Sequence, residues 1–232
     1  TSYSYIGQIY FAQNDYSKAL DYFKKSLNLD LSFFGENHPE VASGYYNIGY
    51  VYFAQGDYSK ALEYFEEVLK IRLSVYGENH SRVASVYNDI GEIYSVQGDD
   101  FKALDYFKKS LKIVLSVYGE NHSQVSSIYD HIGEVYFAQK DYSKALYYFE
   151  ESLKIRLSLF GENHPEVALS YYSIGSLYII QGDKSKALNY YEKSLKIRLS
   201  VYGENHPLTK EIMDLINVAA NSKVLQSPET TK

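Results

Sequence analysis

The chain has 232 residues, a formal net charge of −6, 45% hydrophobic and 22% charged residues, no Cys, no Trp and 27 Tyr. That is the composition of a folded protein. It excludes disulfides, thiolate nucleophiles and cysteine-bound zinc, and the acidic balance argues against nucleic acid or anionic lipid as partner, because both need clustered Lys and Arg. No apolar run reaches the roughly 20 residues of a membrane-spanning helix, and the absence of Cys fits a reducing compartment, so a cytoplasmic location is expected.

Thr1 already lies inside a helical pattern without an initiator Met, so a fragment of a longer protein is expected. Tyr3, Ile6 and Tyr10 of that first pattern then lack an upstream neighbour. Further along, the tetrad Gly-Glu-Asn-His recurs at Gly35, Gly77, Gly119, Gly161 and Gly203, 42 residues apart, and a second glycine keeps the same interval at Gly7, Gly49, Gly91, Gly133 and Gly175. The whole unit therefore repeats, which gives five tandem 42-residue repeats over 1–209, divided as 1–41, 42–83, 84–125, 126–167 and 168–209.

One unit shows how the others fold. In PEVASGYYNIGYVYFAQ, residues 39–55, Val41, Tyr45, Ile48, Gly49 and Tyr52 fall three and four apart and share one helical face. Pro39 suits a first turn, where its missing N–H costs nothing, and Gly56-Asp57 reads as the end of one helix and the cap of the next. In YSKALEYFEEVLKIRLSVY, residues 58–76, the stripe is Ala61, Leu62, Phe65, Leu69 and Leu73, and Gly77 stops it. Glu66–Lys70, Glu150–Lys154 and Glu192–Lys196 are expected i,i+4 pairs on the wet side. Two antiparallel helices cannot bury such stripes alone, so neighbouring units must stack, and the expected fold is an all-α solenoid of five antiparallel helix pairs.

The code Tyr45, Ile48, Gly49, Tyr52, Ala61, Phe65, Val68 recurs as Tyr87, Ile90, Gly91, Tyr94, Ala103, Phe107 and as Tyr129, Ile132, Gly133, Tyr136, Ala145, Phe149. It resembles the tetratricopeptide repeat, and the longer unit with GENHPEVA is similar to the subset in kinesin light chains, although Asn37, Asn79 and their equivalents replace that family's Asp. The resemblance implies a right-handed α-solenoid, a non-enzymatic protein-interaction scaffold, and a concave face lined by the first helix of each repeat that holds a partner peptide.

Five copies in one chain allow an internal comparison. Three places beside the first-helix glycine vary: Ser4, Tyr46, Asn88, Asp130, Tyr172; then Tyr5, Asn47, Asp89, His131, Ser173; then Gln8, Tyr50, Glu92, Glu134, Ser176. They lie opposite the core stripe, on the face the resemblance assigns to ligands. The candidate contacts are Tyr46, Asn47, Tyr50, Asn88, Asp89, Glu92, Asp130, His131, Glu134, Tyr172 and Ser173. Carboxylates flanked by tyrosines suit a partner segment with Lys or Arg beside an apolar anchor. The alternative for these residues is a solvated wall that binds nothing. For the chain as a whole, a self-associating repeat rod and a regulatory or cargo-adaptor fragment of a larger signalling protein are the other readings.

His38, His80, His122, His164 and His206 each follow a Glu-Asn pair, and one helix layer, about 10 Å, separates successive elements, so they cannot converge on a metal. They read as residues that start first helices. His131, between Asp130 and Glu134, reads as a solvated side chain or a pH-sensitive contact. No nucleophile sits beside a base, and neither an enzyme, a metal nor a cofactor is expected.

Two local departures stand out. Lys140 occupies the turn place of Gly56, Gly98 and Gly182, at a cost of about 1 kcal/mol if left-handed, which makes the fourth repeat the softer joint. Asp100-Phe101 replaces Tyr-Ser, so the second helix of the third repeat is expected to start differently. From about Pro207 a capping helix that has lost the repeat code runs on through 210–226, and 227–232 reads as a disordered tail. The uncovered first repeat suggests end-to-end self-association.

Overall fold

The computed structural model describes residues 2–221. Its elements are α1 (Ser2–Ala12), α2 (Tyr16–Phe34), α3 (Pro39–Ala54), α4 (Tyr58–Tyr76), α5 (Ser81–Val96), α6 (Asp100–Tyr118), α7 (Ser123–Ala138), α8 (Tyr142–Phe160), α9 (Pro165–Gln181), α10 (Lys184–Tyr202) and α11 (Pro207–Asn221), with no strand among the described residues. They fall into two compact units, Thr1–Glu120 and Asn121–Lys232. In the first, each helix from α1 to α6 packs on the next; in the second, the same holds from α7 to α11. Thr1, residues 222–226 of the expected capping helix and the tail 227–232 lie outside the described residues.

Each hairpin closes on a glycine. A Cβ on Gly91 would stand 2.8 Å from the Phe107 ring, so the first helix meets the second at a distance only hydrogen permits. Around that contact the first unit buries Phe23, Ile48, Val51, Phe65, Val68, Ile90 and Ile93, all at most 3% exposed. The second unit builds the equivalent core from Phe149, Val167, Ile174, Leu177, Ala187 and Ile197.

The turn inside each hairpin carries more than a cap. The Asp57 carboxylate accepts from the Lys60 N–H at 3.3 Å and binds the Lys60 ammonium at 2.5 Å. That ammonium lies 5.0 Å over the Tyr52 ring, which stacks on Tyr64 at 5.5 Å. The same Asp, Lys and two Tyr recur as Asp15-Lys18-Tyr10-Tyr22, Asp99-Lys102-Tyr94-Tyr106, Asp141-Lys144-Tyr136-Tyr148 and Asp183-Lys186-Tyr178-Tyr190. A large part of the tyrosine content is thus structural.

The turn between hairpins has a stricter geometry. Gly77 adopts φ 76° and ψ 177°, a region essentially closed to side chains, and the other four tetrad glycines do the same. Three residues on, the histidine is the N-cap: His80 Nδ1 accepts from the Arg82 N–H at 3.1 Å, and its ring stacks on Tyr76 at 4.4 Å. His38, His164 and His206 repeat both contacts, with Phe34, Phe160 and Tyr202. The turn inside the hairpin is more permissive, since Lys140 (φ 63°) and Asn14 (φ 59°) stand there in left-handed conformations.

Several expectations change. α6 starts at Asp100 on the same Asp cap as its equivalents, φ −86° and ψ 71° at Asp99 against −83° and 71° at Asp57, because the cap bond is made by residues 99 and 102 and is indifferent to the pair between them. Lys70 and Lys154 pair with Glu67 at 3.5 Å and Glu151 at 3.7 Å in place of Glu66 and Glu150, since i,i+3 neighbours are as close as i,i+4 ones. In the first repeat Tyr10 is covered by its own hairpin through Tyr22, Tyr3 is 40% exposed as expected, and Ile9 joins it, 57% exposed where Val51, Ile93, Val135 and Leu177 are fully buried.

Replacing Lys140 by Gly relieves a left-handed side chain and is expected to stabilise the chain by about 1 kcal/mol, read as a higher urea midpoint at unchanged slope. His164→Ala removes cap and stack together and is expected to cost at least ~1 kcal/mol. His164→Asn restores the cap alone and should recover part of that loss in the same assay.

Candidate functional site

The candidate residues divide between the two units. In the first, α3 presents Tyr46, Asn47 and Tyr50, and α5 presents Asn88, Asp89 and Glu92. Tyr46 is half-buried: its ring stacks on Tyr50 at 6.2 Å, meets Phe65 edge-on at 5.4 Å and lies 5.2 Å under the Arg72 guanidinium. Tyr50 is 43% exposed and touches Phe11 and Phe53. Together with Gln8, Phe11, Phe23 and Asn47, the two tyrosines line a concavity of about 180 Å³. A cavity of about 150 Å³ with apolar walls holds one benzene ring, so this one has room for a single large side chain.

The acidic part of this unit is less open than the sequence implies. The Tyr46 hydroxyl donates to Asp89, which raises the phenol well above its ordinary range, behind the larger effect of burial and the Asp89 charge. Burial pushes the Asp89 carboxyl up to about 7, the Glu92 charge adds to this, and Tyr46 and Arg72 oppose it. Oδ2 of Asp89 is buried without a hydrogen-bond partner. Glu92, half-buried, is also raised, first by burial, although Asn88 Nδ2 donates to it at 2.7 Å.

In the second unit, α7 presents Asp130, His131 and Glu134, and α9 presents Tyr172 and Ser173. Asp130 pairs with Arg156 Nη1 at 2.7 Å, yet burial outweighs that partner and lifts its carboxyl to about 6. His131 is half-buried, and burial, followed by the Arg156 charge, lowers it to about 4. It is therefore neutral at neutral pH, which corrects its reading as a solvated, pH-sensitive contact. The Tyr172 hydroxyl donates to Glu211 of α11 at 3.1 Å, and Arg198 lies 4.9 Å over its ring. Glu134 is exposed and Ser173 half-buried.

Reading first helices alone missed the arginines. Arg72, Arg156 and Arg198 occupy the same place in the second helices of the second, fourth and fifth repeats, and each reaches a first-helix candidate: Tyr46, Asp130 and Tyr172. Their places read Asp30, Arg72, Val114, Arg156, Arg198 down the repeats, a variation in charge as wide as that of the candidates themselves. Phe11 was missed because it was assigned to no face.

These environments give a signed pH dependence. Between about pH 4 and pH 7 folded Asp89 keeps a proton that the unfolded chain has released, so its ionisation opposes folding as the pH rises through about 7. Asp89→Asn keeps an acceptor for Tyr46 and is expected to stabilise the chain by at least about 1 kcal/mol at pH 8, with little effect at pH 4. Asp130, raised less far, to about 6, carries the same sign: Asp130→Asn is expected to give a smaller gain at pH 8 than Asp89→Asn and little effect at pH 4, because the Arg156 partner offsets part of the burial. Urea unfolding of both variants at the two pH values checks the contrast.

The model of the tetratricopeptide repeat family matches residues 1–74, 41–113, 82–158 and 125–200. Among solved structures, BtubC (BKLC) from P. vanneervenii is 24% identical with a TM-score of 0.77, over 88% of this chain and 81% of that one. A putative kinesin light chain from Podospora anserina with nearly identical TPR-like repeats is 16% identical with a TM-score of 0.72, over 87% and 95%. The Rap conjugation gene regulator of plasmid pLS20, in complex with the Phr peptide, is 17% identical with a TM-score of 0.73, over 96% and 59%. No curated protein matches. At these identities the structural likeness is one of fold, and the matched repeats, taken with the hairpins that carry them, establish that the chain belongs to the tetratricopeptide repeat family.

Proposed function

We propose that the chain is a protein-interaction scaffold that receives a partner peptide at the first unit, through one aromatic or branched aliphatic side chain flanked by a Lys or Arg. The observation that carries this reading is the concavity between Phe11, Tyr46 and Tyr50, sized for one side chain and walled by rings, with Gln8 and Asn47 as polar groups. Aromatic walls with few polar groups are what a single anchor residue needs. Glu92, raised by burial, gains by accepting a cation, and it is the accessible acid on α5 because the free oxygen of Asp89 is buried. A solved relative in fold, the Rap regulator, is in complex with a peptide, which is consistent with such a role.

A second reading, end-to-end packing of copies through α1, is favoured by the exposure of Ile9 at a place that four other repeats bury. Ile9→Asp would then leave the sedimentation coefficient independent of concentration where the parent's rises.

The peptide reading is tested with an immobilised random-peptide array. Selected peptides are expected to share an apolar anchor next to a basic residue, to lose roughly tenfold or more in affinity on Tyr50→Ala, and to lose the basic preference on Glu92→Gln. Tyr50 is a partly exposed residue, so its removal spares the core. Selection that ignores Tyr50→Ala would overturn the anchor, and a basic preference that survives Glu92→Gln would overturn the charge assignment.

A further inference from the structure

The second-helix arginines differ in what they hold. In the fourth repeat Arg156 is 4% exposed and its guanidinium is occupied on both sides: Nη1 binds Asp130 at 2.7 Å and Ser170 Oγ at 2.8 Å, and Nη2 binds Glu166 at 3.0 Å. In the fifth, Arg198 reaches the Leu208 carbonyl at 2.5 Å and Glu211 at 3.4 Å. A buried or half-buried guanidinium is costly unless its charge is matched, and the chain matches these two with carboxylates.

Arg72, the equivalent in the second repeat, is half-buried and has no such match. Its Nη1 donates to the Arg82 carbonyl at 2.8 Å, as Arg198 does to Leu208, and to Ser85 Oγ at 3.0 Å, a serine one place before the equivalent of Ser170. Where the fourth repeat has Asp130, this one has Tyr46, and where it has Glu166, this one has Arg82. Among the described residues no carboxylate forms an ion pair with Arg72, and its Nη2 has no hydrogen-bond partner. Asp89 acts on it through charge alone, and burial and Arg82 both work against its protonated form, burial more strongly. Arg82 is exposed, braced on the Tyr76 hydroxyl at 3.0 Å with its guanidinium 5.3 Å over that ring, and it too lacks an ion-pair partner among the described residues.

We infer that Arg72 and Arg82, with Ser85 holding the Arg72 guanidinium in place, form a receptor for an oxyanion, a carboxylate or a phosphate carried by a bound partner, seated as the Glu166 carboxylate is seated on Arg156. The fourth repeat shows what the place takes: a carboxylate oxygen on Nη2 with the serine beside it. Two guanidinium groups, one of them with a free edge, suit an anion with two or more oxygens, because planar N–H pairs bind such groups bidentately. The source of the anion, a partner segment, rests on the peptide reading above; the receptor itself does not.

The test therefore uses simple anions. The full chain, labelled with ¹⁵N-arginine, is titrated with sodium phosphate and separately with sodium acetate at constant ionic strength. The Nε–Hε signals of Arg72 and Arg82 are expected to move and saturate while that of Arg156 stays in place. Arg82→Glu copies the fourth repeat, supplies the carboxylate from within, and should weaken anion binding at least roughly tenfold with helical content unchanged. Saturation with phosphate alone assigns the site to a phosphorylated residue, and saturation with acetate as well assigns it to an acidic side chain. Signals that do not move, that drift without saturating, or that respond equally in Arg82→Glu overturn the receptor whatever the peptide array shows.

Discussion

The approach of two helices at a glycine is the contact on which every hairpin depends. A hydrogen at Gly91, and at its equivalents Gly7, Gly133 and Gly175, lets an aromatic ring of the second helix lie flat against the first helix, where a methyl group would overlap it by most of an ångström. Phe107, Phe149 and Tyr191 can then be buried without opening the pair, and the large residues beside them fill what remains. Interiors pack as densely as organic crystals, so a single added carbon at such a place has no slack to occupy. The ladder of tyrosine and lysine at the hairpin turn follows from this spacing, since it requires the two helices of a pair to arrive at a fixed distance, whereas the histidine cap between hairpins is made locally, as at residues 76–82.

Much of this was legible in the sequence because a 42-residue period prints each structural need several times. Pro39, Gly56, Asp57 and Gly77 announced the ends of helices correctly, and the unvarying tetrad glycine marked a backbone region closed to side chains. His80 and its counterparts were placed at helix starts by position alone; that the imidazole is itself the cap, stacked on the preceding aromatic, could not be read because the ring has no strong capping preference to signal it. The tyrosine stacks were countable in the pattern, yet without geometry an abundant aromatic looks equally like surface or core.

The candidate face was less legible, and for a physical reason. Helical periodicity sorts residues of one element into faces, but it is blind to a long side chain crossing from another. Arg72, Arg156 and Arg198 cross in this way and change the electrostatics of the face they reach. Asp130, which looked like an exposed steering charge, is matched within the chain, and Asp89 is held largely out of water. Of the places named from the sequence, Tyr46, Tyr50, Glu92 and Glu134 keep part of their surface open. Charge complementarity contributes to specificity and to association rate. The distribution of matched and unmatched arginines then makes the second repeat chemically different from the fourth and fifth although their backbones are alike.

The joints between hairpins carry a further consequence. Each is built from residues of a single period, an aromatic, a glycine and a histidine, so gain or loss of one whole 42-residue segment leaves every remaining elbow with its full set of parts. A gene encoding such joints can lengthen or shorten by duplication and deletion without first inventing a new connection, while residues away from the elbows drift independently.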